Sequence, residues 1–336
     1  MAGDELLEAV RFLPDRVRDV AVAASDLEGL PAHDAVDRVA VIGVGGGRVA
    51  ADVIESLAEL VAGVPVVATG GRCPRWVGPT TLALVISTWG ADQPTLAAVD
   101  AARAAGARLV AVVPAGPLEQ HCRELGVAVV VADTRAGPAA GLGVTLVPAL
   151  VLLERLGVMN GVSRAISATA HQLETRRAAL AADRRLVEEV AADLPGRVAV
   201  VGGAGAIGKH AARRWVQRLD RAAGIPSVRR RLPTDAVDAA TWHRLHEHTS
   251  RGVAAIVLRH GLEPPGSTDG LHLLETGLAA YHEIRAEGEG ALAQLLDLLL
   301  IGDAVAATAH GLTGRGDVPI TGHLNTSEAD TGGDAP

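Results

Sequence analysis

Three short stretches of this chain carry the residue types that chemistry needs. The first is Gly43-Val44-Gly45-Gly46-Gly47-Arg48, where glycines between an apolar strand and a helix let a ligand approach bare backbone. The N–H groups at such a helix start attract an anion, so Gly45, Gly46, Gly47 and Arg48 are candidate substrate contacts. A tight turn without a ligand is the competing account. The second stretch, Ser87-Thr88-Trp89-Gly90-Ala91-Asp92-Gln93-Pro94-Thr95, gathers hydroxyls and N–H groups at a strand end. Ser87, Thr88 and Thr95 would form an oxyanion cradle. Asp92 opposes this, because a carboxylate beside a phosphate dianion costs several kcal/mol unless a cation or proton intervenes. A plain N-cap is the stronger reading for it.

The third stretch, Trp242-His243-Arg244-Leu245-His246-Glu247-His248, is rich in histidine. On a helix His243 and His246 share a face, as metal ligands or acid–base groups do, but the order is not that of a zinc peptidase and a solvated polar helix is the favoured alternative. His260, at the end of the strand AAIVLRH, is better placed for chemistry, since strand ends face the ligand crevice. Gly203-Ala204-Gly205-Ala206-Ile207-Gly208 completes a G-x-G-x-x-G pattern and supports an NAD(P)-dependent oxidoreductase as a weaker reading. Against it, the next strand, IPSVRRRLP, ends in arginines where an acid should hold a ribose.

Composition narrows the partners. The 31 basic residues against 39 acidic ones give a formal charge of −8, so no basic field is available for nucleic acid or an anionic membrane. With aromatics at 2%, base-stacking surfaces are nearly absent. Lys209 is the one lysine, hence the sole candidate for amine chemistry. Cys73 and Cys122 are too few for a disulfide scaffold and suit a reducing cytoplasm. The N-terminal segment is acidic and amphipathic, unlike a secretion signal, and LLDLLLIG near residue 300 is interrupted by Asp297 and Asp303, so no membrane span is expected. Neither metal nor cofactor is expected.

These groups need a scaffold, and the sequence alternates short β-branched runs with longer helical ones, the pattern of parallel sheets covered by helices. Strands are expected at 38–44, 64–68, 82–88, 109–114 and 128–133. Helices are expected at 4–24, 48–62, 94–105 and 117–125, with further helical segments at 142–157 and 161–192 forming a charged connecting arm. The pattern restarts at RVAVVGGAGAIG with a helix at 207–223, a strand at 254–260 and helices at 272–287 and 289–310. The expected boundaries are an N-terminal helix to residue 27, a first domain at 28–158, a helical connection at 159–195, a second domain at 196–312 and a frayed tail at 313–336.

In order and spacing these landmarks resemble the sugar isomerase (SIS) domain family, specifically its double-SIS bifunctional phosphoglucose/phosphomannose isomerases. The family's first turn, G-M-G-G-S-A-I-A-G-D, is similar to Gly43–Asp52, and its phosphate loop, S-Y-S-G-N-T-E-E, to Ser87–Pro94. Arg214-Trp215 and Pro226 keep the spacing of its R-W-K-x-Q-x-N-E-N-A-K-x-P region, with Pro233 and Trp242 in register after it. Ala286–Gly290 and Gly302-Asp303 match its A-E-G-E-S stretch and helix-ending G-D. The resemblance implies an α/β fold of two tandem SIS domains, each a parallel sheet of about five strands flanked by helices. It also implies a sugar phosphate or related acidic sugar as ligand, and a homodimer.

The departures fall on the chemistry. Aldose–ketose isomerisation needs a base for the C1/C2 proton and an anchor for the phosphate. By resemblance the family's glutamate base falls at Arg221, its histidine at Val237, the first-turn serine at Gly47 and two phosphate-loop hydroxyls at Trp89 and Asp92. Beyond Lys209 nothing can supply the family's C-terminal lysine. The resemblance thus implies a carbohydrate-derivative-binding scaffold with degenerate catalysis. The alternative is an active hexose 6-phosphate isomerase with relocated groups, drawn from His243, His246, Glu247 and His248, with Arg48 and Arg221 holding an acidic ligand by charge.

Overall fold

The computed structural model describes residues 2–32, 36–132, 141–234, 236–249 and 252–313. After α1 (Ala2–Ser25) the first unit runs β1 (Arg38–Ile42), α2 (Gly45–Val61), β2 (Val66–Gly70), β3 (Thr81–Ile86), α3 (Gln93–Ala104), β4 (Arg108–Val113), α4 (Pro117–Glu124), β5 (Ala128–Val131) and α5 (Gly141–Arg155). Helices α6 (Val162–Ala182) and α7 (Arg185–Ala192) lead into the second unit. That unit is β6 (Val198–Gly203), α8 (Gly205–Arg221), β7 (Ser227–Arg231), α9 (Ala236–His248), β8 (Val253–Arg259), α10 (His272–Glu275), β9 (Ala280–Arg285) and α11 (Gly290–Thr313).

Both sheets are parallel throughout, in the orders β2-β1-β3-β4-β5 and β7-β6-β8-β9. The second therefore repeats the first four positions of the first, and among the described residues it has four strands where the first has five, within the architecture of about five strands that the resemblance implies. The repeat extends to backbone detail. A left-handed glycine opens the helix after the first strand of each unit, Gly45 at φ +54° and Gly205 at φ +58°.

Central strands such as Thr81–Ile86 are buried along their whole length, as a sheet covered on both faces requires. Alternate residues feed different layers. Ala40, Ile42, Ala83 and Val85 pack under α3 and α4, whereas Val39, Val41, Leu82 and Leu84 face a larger core. That core continues through α5 and α6 to Ala199, Val201, Ile256, Trp215 and α11, so one apolar interior serves both units. The 142–192 segment is thus no solvated arm: α5 is core, and α6 buries Ile166, Ala170 and Leu173.

One expectation is corrected. Residues 272–287 do not form one helix but a single turn, α10, followed by β9, which pairs with β8 from Ala254↔Ala280 to Arg259↔Arg285. The left-handed Gly277 (φ +83°) interrupts the helical run, and a vacant edge beside β8 outweighs the helix preference of Leu, Ala and Glu. Helix α11 is long and apolar enough by length and composition to cross a membrane, and 78% of its most apolar window is buried inside this chain. The expected frayed tail from residue 314 lies outside the described residues.

Candidate active site at the first glycine turn

In parallel sheets, ligand-binding groups collect beyond the carboxyl ends of the strands. In the first unit those ends carry Gly43–Gly47 and Ser87–Asp92. The glycine turn is pressed onto the end of β3. A Cβ on Gly47 would lie 2.2 Å from the Ile86 carbonyl oxygen, one on Gly43 2.5 Å from the same atom, and one on Gly46 2.5 Å from Thr88 Oγ1. A serine at position 47 could not enter this packing without moving β3.

Ser87 is fully buried and makes three hydrogen bonds. Its Oγ accepts the N–H groups of Trp89 (3.1 Å) and Gly90 (2.9 Å) and donates to Asp92 Oδ2 at 2.7 Å. Asp92 does occupy the N-cap position of α3, but its side chain makes no cap hydrogen bond. The carboxylate has turned to Ser87 instead, which differs from the N-cap role its sequence position suggests. Thr95, buried in the first turn of α3, has a hydroxyl without a partner among the described residues. Trp89 is 71% exposed on the same loop.

Helix α2, which follows the glycine turn, meets α8 of the second unit. Arg48 Nε donates to Asp52 Oδ1 at 2.6 Å, and Arg213 Nη1 donates to Asp52 Oδ2. One turn further along α2, Ser56 Oγ lies 2.9 Å from His210 Nε2. Pairing 52 with 213 and 56 with 210 means that α2 and α8 run antiparallel. The last turn of α8, with the exposed Arg221, is therefore carried towards the first glycine turn. His210 is 2% exposed. Burial pushes its pKa down to about 4, helped by the charge of Lys209, with Asp52 opposing.

The second unit's strand ends are filled. A Cβ on Gly203 would lie 2.4 Å from the Gly208 carbonyl oxygen, so this turn closes on itself. His260 Nε2–H donates to the Ala204 carbonyl at 2.9 Å and its Nδ1 accepts the Leu262 N–H at 3.2 Å, leaving no ring nitrogen for chemistry. Pro264 packs beside Gly205, 3.0 Å from where its Cβ would be, across the path a pyrophosphate would take. With Arg229, Arg230 and Arg231 on β7 and a four-stranded sheet, the geometry gives the NAD(P) reading no support.

The histidine helix faces elsewhere. His246 Nδ1 accepts the N–H of Val253, the first residue of β8, at 3.2 Å, so it lies at the amino end of the sheet, opposite the ligand-binding end. His243 Nε2–H donates to the Leu273 carbonyl at 2.8 Å. Glu247 and His248 are exposed. Val237 lies in the first turn of α9. The structure thus brings together Gly45, Gly46, Gly47, Arg48, Ser87, Thr88, Asp92 and Thr95, ends α8 at Arg221, and sets His243, His246 and Glu247 apart. Two cavities also lie away from the strand ends. One of about 380 Å³ is bounded by α1, α6, α7 and α11, and one of about 530 Å³ lies at the carboxyl end of α2.

Residues 184–315 match the family model for the bacterial phospho-glucose isomerase C-terminal SIS domain. The fold is a tandem SIS fold. Over 311 residues the chain is 21% identical to the bifunctional phosphoglucose/phosphomannose isomerase of Caldicellulosiruptor bescii, covering 90% of this chain and 91% of that one. A candidate phosphosugar isomerase from Clostridium difficile 630 superposes with a TM-score of 0.72 at 12% identity, covering 92% and 93% of the two chains. A candidate sugar binding protein from Salmonella typhimurium LT2 gives 0.60 at 13% identity, covering 92% and 98%.

Sequence alone gives no role to Asp52, Ser56, His210 or Arg213, which join the units. The i, i+4 spacing of Arg48 and Asp52 is the available signal, since such pairs meet on one helix face. Nothing local marks Arg213 or His210, whose partners are more than 150 residues away.

Proposed function

We propose that this chain binds a carbohydrate derivative, a sugar phosphate or related acidic sugar, in the first unit's cleft, and that it no longer catalyses aldose–ketose isomerisation. The observation that carries this reading is the Ser87–Asp92 hydrogen bond of 2.7 Å, together with arginine rather than glutamate on the last turn of α8. The loop that would anchor a phosphoryl group is bonded to a carboxylate of the chain itself, and the residue at the family's base position is a cation that cannot take a C1/C2 proton at neutral pH. Arg48 and Arg221 supply positive charge for the ligand's acidic group, and the family of the relatives supplies the ligand class.

Removing a general base alone lowers rates by about 10² to 10⁴-fold. Base, histidine and lysine are all replaced here, so purified protein should show no turnover of glucose 6-phosphate, fructose 6-phosphate or mannose 6-phosphate in coupled assays. A rate near or above about 1 s⁻¹, the low end for ordinary enzymes, would sink the loss of catalysis and revive the active-isomerase reading. That alternative would draw on His243, His246 and Glu247, and their position at the amino end of the second sheet argues against it.

The proposal has two further parts, a homodimer and a cytoplasmic location. A homodimer rests on the family resemblance and is tested by sedimentation equilibrium. A cytoplasmic location rests on the two free thiols, Cys73 and the buried Cys122, the latter pushed up to about 11 by burial.

A further inference from the structure

We propose that Asp92 is the specificity-determining residue of the first cleft: its carboxylate holds the place on the Ser87 cradle that a phosphoryl oxygen would need, so this loop rejects phosphate and receives a hydroxyl-bearing part of the ligand. The inference rests on the reading that this cleft binds a carbohydrate derivative, and it assigns which end of the ligand goes where.

The cradle is built. Ser87 is fully buried, its Oγ is fixed by the N–H groups of Trp89 and Gly90, and its single proton is directed at Asp92 Oδ2. A hydroxyl has one donor, and this one is engaged. A phosphoryl oxygen arriving here would have to displace Asp92 from Ser87 and then sit beside a carboxylate it has just left without a partner. The nearest helix start offers no relief, because Asp92 is itself the residue at the head of α3. Arg48 and Arg213, which pair with Asp52, belong to α2 and α8 and not to this loop, so no cation of the loop itself offsets the repulsion.

A sugar hydroxyl meets the opposite situation. It can donate to Asp92 while Ser87 keeps its bond, because a carboxylate accepts several hydrogen bonds at once. Two further features fit a sugar. The Thr95 hydroxyl is buried at the start of the same helix with no partner among the described residues, and Trp89 presents an exposed aromatic face on the loop in a chain with four tryptophans in all. An amphipathic ring with a polar edge suits the apolar face of a pyranose. The acidic end of the ligand is then left to the Arg48 side of the cleft.

The test uses the full chain and its D92N and D92S variants, titrated with inorganic phosphate, glucose 6-phosphate and glucose by calorimetry and tryptophan fluorescence. Wild type should show no phosphate binding in the millimolar range. Both variants should gain at least about tenfold affinity for inorganic phosphate, and the gain should vanish when S87A is added to either. Equal phosphate affinity in wild type and variants, or a gain that survives S87A, would overturn the role given to Asp92 while leaving carbohydrate binding intact. If phosphate binds none of the proteins, Asp92 is not what excludes it and the inference fails. If none of the three probes binds any of them, the carbohydrate-binding reading falls as well. Two variants guard against misfolding in one, and circular dichroism reports on both.

Discussion

The two glycine turns begin alike and end differently. Each follows a buried strand and enters its helix through a left-handed glycine, Gly45 or Gly205. In the first unit the glycines are needed because another strand lies on them: Gly43 and Gly47 contact the Ile86 carbonyl across the sheet end. In the second they are needed by one another, since Gly203 and Gly208 touch directly. The first turn therefore ties its backbone to the Ser87 loop and shapes a cleft, whereas the second is sealed by itself, His260 and Pro264. A repeated motif preserves a backbone path, and the residue that next approaches it decides whether that path is a site.

Breaking the turns should produce the largest effect. Gly47→Ala forces a Cβ into a backbone carbonyl that cannot rotate away, and overpacking of this kind should cost about 3 kcal/mol in chemical denaturation. Gly203→Ala should cost a similar amount, but with the first cleft intact: tryptophan fluorescence from Trp89 should change in the former variant and not in the latter. Equal perturbation of Trp89 by both would mean that the two turns are not independent.

The interface between the units can be probed by pH. His210 titrates near 6.5 when unfolded and near 4 when folded, so the unfolded chain binds the extra proton between those values. The stability that depends on neutral His210 is complete above about pH 6.5 and falls as pH drops towards 4, by on the order of 3 kcal/mol. His210→Phe should flatten that slope. An unchanged slope would place the acid sensitivity elsewhere.

Asp52→Asn is the next step down. It leaves Arg48 and Arg213 with one neutral amide oxygen in place of a shared carboxylate, and for a partly exposed pair the expected loss is about 1 kcal/mol. Carbohydrate binding should change more than stability, because Arg48, at the first glycine turn, loses the carboxylate that positions it. Glu247→Ala should have the smallest effect, within about 0.5 kcal/mol as for ordinary surface positions, and no influence on ligand affinity. A drop in affinity would bring the histidine helix back as a functional element.

The architecture is readable in the sequence where pattern and contact are local. Strands ending in glycine and Ala-rich helices arise from hydrophobic period, and Gly43–Arg48 and Ser87–Thr95 are marked by their own composition. Residues 272–287 read as a helix because their helix-prone composition says nothing of the open edge of β8 that recruits β9. Asp92 reads as a helix cap, correctly as to position. Only the three-dimensional loop shows its carboxylate on Ser87, because an N-cap and a partner five residues back are equally short reaches for an aspartate. Asp297 and Gln172 meet across 125 residues, and no local pattern could reveal that hydrogen bond.

Helix α1 lies against α11, and Val17, Val20 and Ala24 share one interior with the last helix of the described chain. A ribosome makes these two helices far apart in time, with every other described element in between. The first helix emerges with an apolar stripe that α5 and α6 cover only in part, and the remainder must wait until Gly290 begins α11. Ribosome stalling after the second sheet would expose more of this protein than stalling after the first unit alone suggests. Nascent chains arrested just before and just after α11 should differ sharply in protease resistance across α1.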